Sequence, residues 1–180
     1  SFNSLPLSKG ESRRSCTYIA EIDDLLQLQL RKISGEVNVS LQQITIAALT
    51  IYFYRKTGRQ EFVFGMPLHR RNKKTRDIVG MFSGDVPFRG SYNPAMSVGE
   101  FLRHISSSQR QDYRSRNYLS GDLIRHFKSE DSQSALFEVM INYALLDFSL
   151  DFDSLLEVDT YESYSSDERF PLQLWWRDYG

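Results

Sequence analysis

Three histidines, one cysteine and a run of spaced aspartates are the groups in this sequence with the most obvious chemical potential. His69, His104 and His126 stand far apart, and none lies at ligand spacing from another histidine, a cysteine or a carboxylate on one helix face, so no metal site is expected. An imidazole at His69 acting as a general base would need an orienting partner, which the sequence does not supply. Cys16 falls in an alternating apolar pattern, where a small buried thiol is the expectation. No Gly-x-Ser-x-Gly elbow, Walker loop or dinucleotide fingerprint is present. Asp147, Asp151 and Asp153 lack the glycine turn and closing glutamate of a calcium loop and read as a solvated edge.

The distribution of charge is more informative than any single nucleophile. Arg55, Lys56, Arg59, Arg70, Arg71, Lys73, Lys74 and Arg76 make the middle of the chain basic, while Asp147 to Glu168 is acidic. A solvated face with internal complementarity is the simpler reading; the sharper one is a dock for an acidic partner or a phosphate-bearing arm. Nucleic acid is not expected, since no aromatics interleave the basic run and the net charge is -1. The stretch Phe62 to Arg89 joins this basic loop to an apolar strand on one side and to Val79-Gly80-Met81-Phe82-Ser83-Gly84-Asp85 on the other. Glycines beside an aromatic let backbone approach a thin ligand, and the stretch reads as the wall of a site.

The elements that must position it follow from periodicity. With 180 residues, 41% of them hydrophobic and 25% charged, one soluble domain with a core is expected. Residues 1–13 read as a linker or extended arm and 14–180 as the folded unit. Arg14 to Ile22 alternates like a strand. Asp23 or Asp24 caps a helix bearing Leu25, Leu26, Leu28, Leu30 and Ile33, with Gly35 as its stop. Ser40 and Gln43 form a capping box for a buried helix carrying Ile44, Ala47, Ala48, Ile51, Tyr52 and Tyr54, ended by Gly58. Glu61 to Leu68 is a strand, Arg70 to Asp77 a polar loop, and Val86 to Arg89 extended. Ser97 and Glu100 make a second capping box, for a helix with Val98, Phe101, Leu102 and Ile105 on its apolar face. That face fades through Ser106 and Gln109, so a solvated continuation towards Arg116 is expected. A short helix over Asp122 to Phe127, a doubly buried strand over Leu136 to Tyr143, an acidic-aromatic alternation over Leu145 to Asp153, and strands over Leu155 to Glu162 and Phe170 to Trp176 complete the reading. Strands interleaved with helices predict an α/β or α+β domain. The lone cysteine and the absence of a signal-like or bilayer-spanning segment point to a reducing, cytoplasmic setting without a membrane role.

In linear order, TIAALTIYFYRKTG, EFVFGMPLHRR, IVGMFSGDVPFR, a helix and SALFEVMINY resemble the C-terminal half of the condensation domains of nonribosomal peptide synthetases. The resemblance runs from about Arg14 onward. It implies an α/β two-layer sandwich with a mixed sheet, one lobe of a fold similar to chloramphenicol acetyltransferase and other CoA-dependent acyltransferases. The implied reaction is amide formation, in which an acceptor amine attacks a donor thioester carried on phosphopantetheine. The family's His-His-x-x-x-Asp-Gly loop belongs to the N-terminal lobe and has no match here, so no catalytic residue is assigned and the chain alone is expected to be inactive. Gly80, Phe82, Pro87 and Arg89 match the family's Gly-x-Phe-Val-Asn-Thr motif and its downstream proline and arginine. Gly65 and Pro67 match its preceding strand, and Arg71 the arginine that ends that segment. Ser83, Gly84 and Asp85 stand where Val, Asn and Thr are usual, and losing the asparagine amide removes a donor and an acceptor.

The resemblance implies a substrate channel at Gly80, Phe82, Ser83, Gly84 and Asp85, and a carrier-protein or phosphate surface at Arg70, Arg71, Lys73, Lys74 and Arg76. Implied partners are peptidyl or acyl carrier domains, which bring the phosphopantetheine, and the missing N-terminal lobe; no cofactor is expected to bind directly. The sequence also lacks an initiator methionine and is expected to be a piece of a longer protein of secondary metabolism. A non-catalytic module holding a carrier protein or other acidic partner, or the lobe of an epimerisation or stand-alone acyltransferase domain, are the alternatives.

Overall fold

A computed structural model describes residues 16–69, 71, 73–114, 123, 125–126, 136–145 and 170–178. The expected strand from Arg14 is absent over its described part: residues 16–23 have no regular secondary structure, Cys16 is exposed, and Tyr18 is 89% exposed. Alternation alone does not make a strand, because its backbone groups need a neighbouring ladder.

Helix α1 spans Asp24–Val37, with the Asp23 carboxylate accepting from the Leu26 N–H at 2.8 Å as N-cap. It runs past Gly35 and ends at Asn38, which takes the left-handed conformation at φ 57° and donates its N–H to the Ser34 carbonyl. A Cβ at Gly35 would meet nothing, so that glycine is not required as a stop, and asparagine supplies the αL cap instead. Helix α2, Leu41–Thr57, carries the reciprocal Ser40–Gln43 capping box and ends on Gly58 at φ 70°. Its buried face is Gln43, Ile46, Ala47, Thr50 and Phe53, whereas Ala48 and Tyr52 of the expected face point outward.

Strands β1, Glu61–His69, and β2, Ser83–Ser91, form a nine-residue antiparallel pair from Glu61 opposite Ser91 to His69 opposite Ser83. Strand β2 therefore begins three residues earlier than its apolar pattern indicated. Helix α3, Val98–Arg114, starts at the expected box: Ser97 N–H donates to Glu100 Oε2 at 2.8 Å, and Glu100 N–H donates back to Ser97 Oγ. Strands β3, Val139–Leu145, and β4, Leu172–Asp178, run parallel to each other, and β3 runs parallel to β1, giving the order β2-β1-β3-β4. The sheet is mixed and the fold is α/β, as the sequence predicts.

Alternation along β1 sends Phe62, Phe64 and Met66 to the helices, where they meet Val86 and Phe88 of β2 and Phe101, Leu102 and Ile105 of α3. Val98, expected on that face, is exposed. The face does not fade after Ile105, since Ser106 and Gln109 are buried too. Gln43 Nε2 donates to Gln109 Oε1 at 2.8 Å, and Gln109 Nε2 reaches Gln42 Oε1 and the Tyr113 hydroxyl, each at 3.3 Å. Two helices thus share a satisfied polar contact in place of apolar packing. Gly90 is needed for close approach, because a Cβ there would lie 2.8 Å from Thr50 Oγ1. On the opposite face Gly65 leaves room for the buried Phe137, whose ring a Cβ would overlap and which stacks on Phe170 at 5.1 Å. Arg31 of α1 pairs with Asp178 at 3.0 Å, and the Tyr143 hydroxyl donates to the same carboxylate at 2.6 Å, joining α1 to the end of β4. Burial first, then Asp178, pushes that phenol well above its usual range.

The expected helix at Asp122 to Phe127 lies mostly outside the described residues. So do the Asp147, Asp151 and Asp153 edge, the acidic run to Glu168, all but the first residue of the alternation over Leu145 to Asp153, and the expected strand over Leu155 to Glu162.

Candidate functional site

The candidate site hangs from the ends of β1 and β2, where thirteen residues, 70–82, connect His69 to its partner Ser83. Strand pairing fixes where this connection starts and stops, and one side chain shapes much of what lies between. Arg71 Nη1 donates to the carbonyl oxygens of Thr75 (3.0 Å), Arg76 (3.0 Å) and Ile78 (2.8 Å), and Nη2 donates to Gly80 O at 3.1 Å. The same guanidinium lies 4.7 Å from the centre of the Phe82 ring. A planar fork with several donors can collect carbonyls from successive turns while its face packs on an aromatic ring; an ammonium group cannot reproduce both contacts.

This changes the role expected for Arg71. Its Nη groups are directed at the chain's own carbonyls, so the residue works as a clamp on the loop. Lys73, Lys74 and Arg76 remain exposed on the clamped loop, and Arg70 lies outside the described residues. Beside them Val79 is 99% and Met81 91% exposed. Gly80 sits at φ 156°, a conformation side chains rarely adopt, with Phe82 alongside it.

Of the remaining predicted residues, Phe82 is half-buried beneath Arg71, and Ser83 is exposed at the first position of β2. Gly84 and Asp85 are ladder residues of an edge strand, opposite Leu68 and Pro67. Gly84 thus lies in a strand, not a turn. Pleat alternation puts Ser83, Asp85, Pro87 and Arg89 on the face away from the helices, together with Gly65 and Pro67. Pro87 sits where an edge strand tolerates a missing donor. The Arg89 charge reaches Asp112 of α3, whose carboxyl is raised by partial burial and held back by that arginine. His69, His104 and His126 stand on separate elements, His69 at the root of the loop and His104 within α3.

A family model for the condensation domain matches residues 4–174. The chain belongs to the condensation domain family. Curated relatives include a dimodular nonribosomal peptide synthase of Bacillus subtilis (strain 168), 28% identical over 149 residues that make up 82% of this chain and 6% of that protein. Bacitracin synthase 3 of Bacillus licheniformis is 23% identical over 159 residues, 85% of this chain and 2% of its own length. The chain therefore spans a small fraction of each synthase. Among solved structures, the condensation domain from Monacolin K polyketide synthase MokA superposes with a TM-score of 0.63 at 21% identity, over 76% of this chain and 34% of that one. The starter condensation domain of rhizomide synthetase RzmA, in a complex with C8-CoA, gives a TM-score of 0.52 at 30% identity, over 58% and 24%. Condensation domains thus share this α/β architecture, and the loop after Arg71 joins two neighbouring strands of its sheet.

Two features of the described structure lie beyond what the sequence pattern shows. The clamp role of Arg71 depends on where four carbonyls converge, which no spacing encodes. A line of arginines on α3, Arg103, Arg110 and Arg114, is inconspicuous in the sequence because they are dispersed among polar residues, although their spacing of seven and four places them on one helix face.

Proposed function

We propose that this chain is the C-terminal half of a condensation domain of the nonribosomal peptide synthetase type. It supplies one wall of a channel in which an amine attacks the thioester carbon of an acyl or aminoacyl donor. The amine nitrogen forms the new amide bond, the carbon–sulfur bond breaks, and the pantetheine thiol leaves with a proton. In this reading Gly80, Phe82, Ser83, Gly84 and Asp85 line the channel. Gly80 lets backbone approach the arm, and the Arg71 clamp fixes Phe82 under it. Lys73, Lys74 and Arg76 face an acidic carrier protein or the arm's phosphate. The phosphopantetheine comes with the carrier domain, and the general base comes from an N-terminal lobe, since nothing in this sequence matches the family's paired-histidine loop.

The observation that carries the proposal is the agreement of family membership over 4–174 with a clamped loop whose conformation presents Gly80 to Asp85 at the end of the β1–β2 pair. A carrier protein bearing a photoreactive pantetheine analogue tests it. Crosslinks mapped by mass spectrometry should fall within residues 80–85, with condensation turnover of the chain alone at background. Labelling confined to other residues would remove the channel assignment, and turnover by the chain alone would refute the division of labour between lobes. Carrier binding without labelling of 80–85 would favour a non-catalytic module.

A further inference from the structure

An open groove of about 640 Å³ lies along α3, with the α1–α2 junction as its other wall. Arg103, Arg110 and Arg114 line it from α3, and Val37, Asn38 and Val39 from the junction. At 1.5 Å rise per residue the three arginines cover about 16 Å of helix. All three are exposed, and the ion pairs found among the described residues, Arg31–Asp178 and Lys32–Glu36, involve none of them. The charge they meet on their own helix is Glu100, felt by Arg103; that carboxylate already accepts from Ser97, which holds it below its usual range.

The lining residues of the far wall, Val37, Asn38 and Val39, carry no charge. Asn38 and Val39 both donate their N–H groups to the Ser34 carbonyl, and Ser34 Oγ donates to the Val39 carbonyl at 2.6 Å, so these two carbonyls are already engaged. The Asn38 amide side chain and two valines face the arginines across the groove. In a chain of net charge -1, three arginines on one stripe beside a concavity are a local concentration of positive charge, not a reflection of overall basicity.

We propose that this groove binds a small polyphosphate, its phosphate groups distributed along Arg103, Arg110 and Arg114. Guanidinium forks pair with phosphate oxygens bidentately, and the volume lies in the range of small-ligand clefts. The apolar edges of Val37 and Val39 offer a surface for an organic body attached to the phosphates. The inference does not depend on the channel assignment, because none of these residues belongs to the loop from Arg71 to Asp85.

Isothermal titration of the full chain with tripolyphosphate and, separately, with magnesium-free ATP is the test. Saturable binding at one site is expected, falling at least about tenfold in Arg110→Glu and in Arg103→Gln/Arg114→Gln, with circular dichroism unchanged because these side chains are exposed. Tighter binding of ATP identifies an organic polyphosphate as the preferred source, and equal binding an inorganic one; both support the site. Responses matched by sulfate at equal ionic strength, binding unaffected by the substitutions, or binding of hexaglutamate peptide but neither polyphosphate would overturn it.

Discussion

At Arg71 the guanidinium turns inward, with four backbone carbonyls and an aromatic ring around it. Along α3, Arg103, Arg110 and Arg114 point into an open groove, and no ion pair found among the described residues engages them. Both regions are basic, but a charge is available to a ligand only where the fold has not already used its donors. The conspicuous run from Arg70 to Arg76 contains a structural arginine, Arg71. The inconspicuous arginines of α3 retain their hydrogen-bonding capacity for something else.

The comparison can be broken or sharpened experimentally. The largest effect sets the scale for global damage: Gly65→Val would drive a side chain into the Phe137 ring, and a loss of about 2–3 kcal/mol in urea unfolding is expected from overpacking. Against that scale, Arg71→Gln should leave the unfolding midpoint nearly unchanged but raise tryptic cleavage at Lys73, Lys74 and Arg76 about tenfold, as losing about 1–2 kcal/mol of local charged hydrogen bonding would do. Arg71→Lys should behave like Arg71→Gln, since an ammonium group lacks the planar fork. If cleavage does not change, the clamp is not what holds the loop.

Phe82→Leu should weaken the same loop by a smaller amount, about 0.5–1 kcal/mol for the cation–π contact, read as faster amide exchange over 73–82. Arg110→Gln should alter neither stability, within about 0.5 kcal/mol, nor loop cleavage, because its side chain is exposed and unpaired among the described residues. The smallest effect concerns how α3 begins. Ser97 holds the Glu100 carboxyl below its ordinary value, so this part of the cap is present above the unfolded-state value and is lost as pH falls through the lower folded value. As pH falls, the start of α3 should weaken slightly in the native chain and stay unchanged in Glu100→Gln, as read by acid titration of the two.

Local chemistry was legible wherever one or two residues decide an outcome. Ser40 with Gln43, Ser97 with Glu100, and Gly58 mark helix ends because a few atoms satisfy a few orphan groups there. The strand Glu61–His69 was legible for the same reason, with β-branched and aromatic residues between turn signals. What escaped needed partners from elsewhere in the chain. Cys16 to Ile22 alternates like a strand without forming one, and Gly35 resembles a helix stop although Asn38 performs that function. Gln109 looks solvated until Gln43 is placed beside it. Within the candidate site, Gly80 and Phe82 could be picked out by their types and order. The direction in which Arg71 points could not, because it is set by the path of the loop it encloses.

Side-chain ¹⁵N NMR of the arginine guanidinium groups, recorded with and without tripolyphosphate, tests the contrast most directly. Arg71 should show restricted rotation, slow hydrogen exchange and no response to the anion, while Arg103, Arg110 and Arg114 should exchange rapidly and shift on its addition. Equal exchange for all four, or a response centred on Arg71, would contradict the account.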